Sequence, residues 1–213
     1  MKVSGTEISY SQAHEVQTQY ALSMIIPTRN EAGNIEPLLT RIDQATRGTA
    51  LEVIFVDDST DDTPEVIRSL QDRFPLRITL IARPPERRKS GLGGAVVEGF
   101  KVARAPWVCV MDADLQHPPE FIPKMLKHAQ KTGSDIVVGS RLAKGGDATS
   151  LGLKRTIISQ VFAMTTRVTF PQRLRSVTDP LTGFFILQRA AVNPDDLHPD
   201  GFKILLEILV SHP

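Results

Sequence analysis

The chain has 213 residues, enough for one α/β domain with a sizeable core, and its 41% hydrophobic and 23% charged residues are ordinary for a globular domain. A formal net charge of +1 gives no bulk attraction for nucleic acid, and a single cysteine excludes a disulfide framework within the chain, which fits a reducing compartment. No apolar run reaches the roughly 18 residues of a membrane span, and Met1 to Tyr20 is polar, lacks a signal core and reads as a loose tail.

Leu22 to Pro27 reads as a buried strand, and Glu31 to Ala45 as a helix with apolar residues at Ile35, Leu38, Leu39 and Ile42. Leu51 to Asp58 is a second strand that ends in acids. Asp62 is the expected N-cap of the next helix, with Pro64 in its first turn. Leu76 to Ala82 is a third strand. Arg83 to Gly94 reads as a basic, glycine-containing loop before a helix over Ala95 to Ala103. Val108 to Met111 is a fourth strand with Cys109 as a small core residue, Glu120 to Thr132 a helix, and Ile136 to Gly139 a fifth strand that ends at Ser140-Arg141. Leu151 to Phe170 has the spacing of an amphipathic helix flanked by Lys154, Arg155, Arg167, Arg173 and Arg175. That pattern suits packing on its own domain or lying on a membrane surface. Asp179 to Gly183 is a turn before a strand, and Phe202 to Val210 a last helix.

Strands alternating with helices predict a mainly parallel sheet covered on both faces, with ligands outside the carboxyl ends of the strands. The acids Glu31, Asp57, Asp58, Asp112 and Asp114 all fall there. Asp112 and Asp114 are the sharpest signal. Residues i and i+2 of extended backbone face one side, and two carboxylates aimed at one point repel unless a cation joins them. Mg²⁺ binds through one or two carboxylates plus substrate phosphates. His117, before Pro118-Pro119, reads as a packed loop residue, since oxygen ligands suit such a cation better. Of the Asp57-Asp58 pair, Asp58 is read as the turn-former. Arg87, Arg88 and Lys89 form either a solvated charge run or a clamp for a diphosphate. Gly91-Leu92-Gly93 alone is a weak phosphate-loop signal.

Six strings occur in order: Ile26-Pro-Thr-Arg-Asn-Glu31, Val56-Asp-Asp-Ser59, Gly91-Leu-Gly93, Met111-Asp-Ala-Asp-Leu-Gln-His-Pro-Pro-Glu120, Asp179-Pro-Leu-Thr-Gly-Phe-Phe185 and Gly201-Phe-Lys-Ile-Leu-Leu-Glu207. Together they resemble the inverting family 2 glycosyltransferases, and within them the polyprenyl-phosphate (dolichyl-phosphate) mannose synthases. The resemblance implies a GT-A fold in one domain over 21–213, a nucleotide-sugar donor and Mg²⁺ or Mn²⁺. Carried over by position, it places Pro27, Glu31 and Asp57 around base and ribose, and Asp112 near ribose and metal. Asp114 and Gln116 become metal ligands, and Arg141 and Arg155 face the phosphates of donor and acceptor. Lys89 is a further candidate for the donor, and Asp179 opens a loop on the acceptor side. Arg29 stands where the family often has an aromatic, which bears on base selectivity.

The implied reaction is inverting transfer of mannose from GDP-mannose to a polyprenyl monophosphate. The expected setting is the cytoplasmic face of a membrane, with peripheral attachment and no nucleic-acid partner. The family continues past the last helix with another phosphate-binding arginine, so the chain is expected to be truncated there. The alternatives are a glucose or other hexose synthase, or an inactive remnant that binds nucleotide sugar. A Gly-x-Gly-x-x-Gly string after the first strand would indicate a dinucleotide enzyme. Pro27-Thr-Arg-Asn-Glu31 stands there instead. The same segment argues against a sugar-nucleotide pyrophosphorylase, whose first loop is glycine-rich.

Overall fold

The computed structural model describes residues 19–140, 177, 179–198 and 203–211. The expected tail over Met1 to Tyr20 lies outside them except for its last two residues, and the helix expected over Leu151 to Phe170 lies wholly outside.

Among the described residues six strands form one sheet in the order β3-β2-β1-β4-β6-β5. They are β1 (Leu22–Thr28), β2 (Leu51–Asp57), β3 (Arg77–Ala82), β4 (Trp107–Val110), β5 (Ile136–Val138) and β6 (Phe185–Gln188). β1 and β2 are buried along all seven residues, as expected of parallel strands covered on both faces. β3-β2-β1-β4 run parallel. β6 runs antiparallel between β4 and β5, with Cys109 opposite Ile186 and Val137 opposite the same residue. The expected mainly parallel sheet is present, with one reversed strand.

Period-two alternation sorts the strand residues into two cores. Leu22, Met24 and Ile26 face one side, where α1 (Ala32–Ala45), α2 (Thr63–Leu70) and α4 (Ile122–Thr132) supply Leu38, Ile67 and Leu126. Ile25, Ile54 and Val110 face the other, against α3 (Gly91–Val102) and α5 (Ile204–Ser211). Cys109 is fully buried, and burial pushes its thiol up, which makes it a core atom and not a nucleophile.

Two helix starts differ from expectation. Asp62 occupies the N-cap of α2 but makes no side-chain cap bond. Asp61 supplies the contact, accepting from the Thr63 hydroxyl at 2.6 Å and the Thr63 amide at 3.1 Å. The Thr63 hydroxyl bond leads in holding the Asp61 carboxyl below its usual range. α3 begins at Gly91 instead of Ala95, and within it Gly94 and Gly99 serve close packing. A Cβ at Gly99 would lie 2.4 Å from Ile25 Cγ2 of β1. Gly99→Ala gains ~1 kcal/mol of helix propensity but overpacks a buried seam, which costs ~1–3 kcal/mol. The clash is expected to win, lowering the urea midpoint. An unchanged midpoint would show that α3 can stand off β1 without loss.

Candidate active site

β1, β2 and β4 end side by side. Thr28 is opposite Asp57, and the Met111 amide donates to the Ile25 carbonyl. Beyond these ends lies an open cleft of about 250 Å³. Pro27, Thr28, Arg29 and Glu31 form one wall, Arg88, Gly91 and Leu92 another, and Asp58, Asp112 and Asp114 the floor between them.

The first wall is tied to the β2 loop. Asn30 adopts a left-handed backbone (φ 58°), which asparagine tolerates better than most residues. Its amide donates to the Ser59 hydroxyl at 2.8 Å, and its Oδ1 accepts from the Thr60 amide at 2.9 Å. The Glu31 amide donates to the Thr63 hydroxyl at 3.0 Å. Glu31 is thereby fixed at the cleft, half-buried.

Asp57 does not share that position. Its carboxylate is 1% exposed and accepts from Thr28 Oγ1 at 2.8 Å, Ser59 Oγ at 2.6 Å and the Ser59 amide at 3.1 Å. Asp57 thus braces the two loops from behind, and Asp58 lines the cleft. This reverses the reading of Asp57 as pocket residue and Asp58 as turn-former. Neighbouring residues at a strand end face opposite ways, and here the second faces the ligand side.

Behind Asp58 sits Arg83, whose side chain is fully buried. Its Nε donates to Asp58 Oδ1 at 2.8 Å, and a terminal nitrogen donates to Asp58 Oδ2. Its other contacts are Ser90 Oγ at 3.2 Å and the Gly91 carbonyl at 2.8 Å. The short helical turn Pro85–Ser90 carries the basic run. Its phase puts Arg88 in the cleft and leaves Lys89 exposed outside it, so the donor candidate on this turn is Arg88 and not Lys89. Arg87 is two-thirds exposed and lies 3.6 Å from Glu98. Gly91 closes the turn at φ 60°, ψ −153°, a conformation open essentially to glycine alone.

The β4 acids are shaped just as closely. Asp114 Oδ1 accepts the Gln116 amide at 3.0 Å across Leu115, which is left-handed at φ 61°. A leucine in that region is strained, and the strain is held by packing of Leu115 on the core. Asp112 lies between two supports. His117, 2% exposed, brings Nε2 to 3.2 Å from Asp112 Oδ2 and stacks on Phe184 at 5.2 Å between ring centroids. On another side the Gly183 backbone is so close that a Cβ there would stand 2.2 Å from Asp112 Oδ2. His117 is therefore a packed residue, as its setting before two prolines implied.

Asp112 and Asp114 line the same cleft, but they lie beyond the end of β4 at Val110, and Ala113 between them lines it too, so strand alternation is not what brings them together. Gln116 is exposed on the same turn and is not part of the cleft lining. Among the described residues no three His, Cys, Asp or Glu side chains gather as a metal cage. Two hard carboxylates on an open floor suit a divalent cation that completes its shell with phosphate oxygens. Charge agrees. The cleft carries four carboxylates against two arginines. Arg83 cancels Asp58 from behind, and a divalent cation would turn the small acidic excess positive, as an anionic ligand requires.

Asp179 opens the turn that leads to Gly183 and does not line the cleft. Arg141 and Arg155 lie outside the described residues. The reading of the sequence missed Arg83 as a functional residue. Its one signal was an arginine placed directly after a strand whose neighbour ends in two acids.

The mainly parallel sheet, covered on both faces and with acids at its carboxyl edge, matches the GT-A fold found in nucleotide-sugar transferases. The chain belongs to glycosyl transferase family 2, whose family model matches residues 23–194. The dolichol-phosphate mannosyltransferase of Pyrococcus furiosus is 45% identical over 191 residues, which cover 89% of this chain and 52% of that protein. The dolichol-phosphate mannosyltransferase of Saccharomyces cerevisiae is 36% identical over 200 residues, covering 90% and 70%. The chain thus spans about half the length of the archaeal relative. Among solved structures, the glucosyl-3-phosphoglycerate synthase of Mycobacterium tuberculosis in complex with Mn²⁺, UDP-glucose and glycerol 3-phosphate shares the fold. Its TM-score is 0.62 at 20% identity, over 90% of this chain and 65% of that one.

Proposed function

We propose that the protein transfers mannose, with inversion, from GDP-mannose to a polyprenyl monophosphate, with Mg²⁺ or Mn²⁺ bound. The observation that carries the reading is the convergence of Asp112 and Asp114 on a cleft walled by Glu31, Arg29 and Arg88. The two dolichol-phosphate mannosyltransferases at 45% and 36% identity support the choice of acceptor and sugar.

The roles follow from charge. Asp112 and Asp114 would hold the divalent cation, which when bound would supply Lewis-acid stabilisation of the departing diphosphate. Pro27 and Glu31, which line the cleft, are proposed for the base and ribose from the family pattern. Asp58, neutralised by Arg83, gives that floor a polar but not strongly repulsive surface. A phosphate monoester acceptor is already largely dianionic at neutral pH, with a second pKa near ~6. It needs no strong general base, so Asp179 is not assigned that task. Bringing two anions together needs cations between them, and Arg141 and Arg155 are proposed for this from the family pattern. Peripheral attachment to the cytoplasmic face of a membrane is proposed on the same basis. Among the described residues no helix is long and apolar enough to cross a membrane.

Transfer of radiolabelled mannose from GDP-mannose to a short polyprenyl phosphate, with Mn²⁺ and with EDTA, tests the reading. Metal-dependent lipid-linked product is expected. Product only with another donor would reassign the sugar, and metal-dependent nucleotide binding without product would mark an inactive binding domain. Anionic liposomes test the membrane proposal. Replacing Lys154, Arg155 and Arg167 by glutamine is expected to weaken vesicle binding by ~10²-fold, at ~1 kcal/mol per basic residue. Unchanged sedimentation would leave the segment without a membrane role.

A further inference from the structure

Three cations stand in a row on the Pro85–Ser90 turn, and only Arg88 lines the cleft. Its backbone and side chain are both held. The Arg88 Nε donates to the Arg83 carbonyl at 2.9 Å, and the Arg88 carbonyl accepts the Gly91 amide. Among the described residues its two terminal nitrogens take no protein acceptor, and these are the nitrogens a forked anion contact uses. The Arg83 guanidinium, buried on Asp58, Ser90 and the Gly91 carbonyl, locks the same turn from the inside. The first turn of α3, with Leu92 and Ala95, borders the same wall.

We propose that Arg88 is a contact for the diphosphate of the nucleotide donor, beside the arginines proposed above, and that Arg83 is the positioning residue that presets it. The inference rests on the donor reading above and deepens it. Arg83 does two things at once. Its charge removes the repulsion that a free Asp58 carboxylate would exert on a diphosphate. Its fork fixes the distance between the β2 loop and the start of α3, and so fixes where Arg88 projects. A lysine at either position keeps the charge but not the geometry.

The test is equilibrium binding of GDP, UDP, guanosine and Mn²⁺-pyrophosphate to the full chain by calorimetry at fixed ionic strength. Arg88→Gln is expected to weaken GDP and pyrophosphate by ~10–100-fold, the worth of charge-assisted hydrogen bonds, with guanosine within about twofold. Arg87→Gln removes the same charge one residue away and is expected to change neither. Arg83→Lys keeps the buried charge, so the protein folds, and is expected to weaken the diphosphate ligands ~5–10-fold through displacement of the turn. Wild-type pyrophosphate affinity in Arg88→Gln would overturn the inference alone. So would equal losses for GDP and guanosine, or a loss in Arg87→Gln as large as in Arg88→Gln. If the unmodified protein binds neither nucleoside diphosphate nor pyrophosphate, the donor reading falls and this inference falls with it.

Discussion

Asp114→Ala and Asp114→Asn are both expected to lower metal-dependent mannosyl transfer by ~10²–10³-fold, the usual worth of charge aimed at a transition state, with little change in melting temperature. The two variants separate two jobs of one side chain. Asp114 Oδ1 accepts the Gln116 amide and so holds the turn in which Leu115 is left-handed. Asparagine keeps that acceptor and loses the charge, whereas alanine loses both. If charge is what counts, the two fall together, and excess Mn²⁺ restores neither. Full turnover in Asp114→Asn would show that the carboxylate holds no metal. Turnover lost only in Asp114→Ala would assign Asp114 to the turn.

Gly183→Ala is expected to cost ~10²-fold in turnover although residue 183 carries no functional group. The new Cβ would stand 2.2–2.6 Å from the Asp112 carboxylate atoms, and such a contact cannot persist. Either the carboxylate rotates away from His117 or the turn before β6 moves outward. A displacement of about 1 Å at a reacting site is worth ~10²-fold. The half-buried, loop position of Gly183 limits the stability loss to roughly 1 kcal/mol. The check is a comparison of kcat, Mn²⁺ affinity and denaturant midpoint in one variant. A fall in midpoint with metal affinity unchanged would mean that Gly183 matters to folding and not to Asp112.

The strands were legible because each is a short apolar run, and their order of use was legible because acids punctuate their carboxyl ends. Asp112 and Asp114 could be read as a pair because two acids directly follow an apolar strand, although they lie in the bend beyond β4 where strand alternation no longer applies. Asp57 and Asp58 could not, because adjacent residues face opposite ways and composition does not set the phase. The same limit applies to Arg88 against Lys89, where one residue of shift in a helical turn decides which cation enters the cleft. Gly91 and Gly94 looked like loop residues. In the fold they open α3, and a Cβ at Gly94 would strike Ser90 and approach Arg83. The reversal of β6 had no local signature at all, since strand direction is set by how the chain returns and not by the residues of the strand. Gly183 read as a turn residue, and its approach to Asp112 emerges only when segments some 70 positions apart are brought together.

The position of β6 has a consequence for biosynthesis. Among the described residues β4 has neighbours on both sides in the finished sheet, and β5 joins through β6 alone. Roughly 46 residues separate Val138 from Phe185. At ~5–20 residues per second, the ribosome delivers β6 about 2–9 s after β5. Among the described strands, the apolar edge Trp107–Val110 has no second partner throughout that interval, and β5 has none. An unpaired apolar edge is a template for foreign strands, so the nascent chain passes through a window of exposure to chaperones and aggregation that closes only when Phe185 to Gln188 slides between the two.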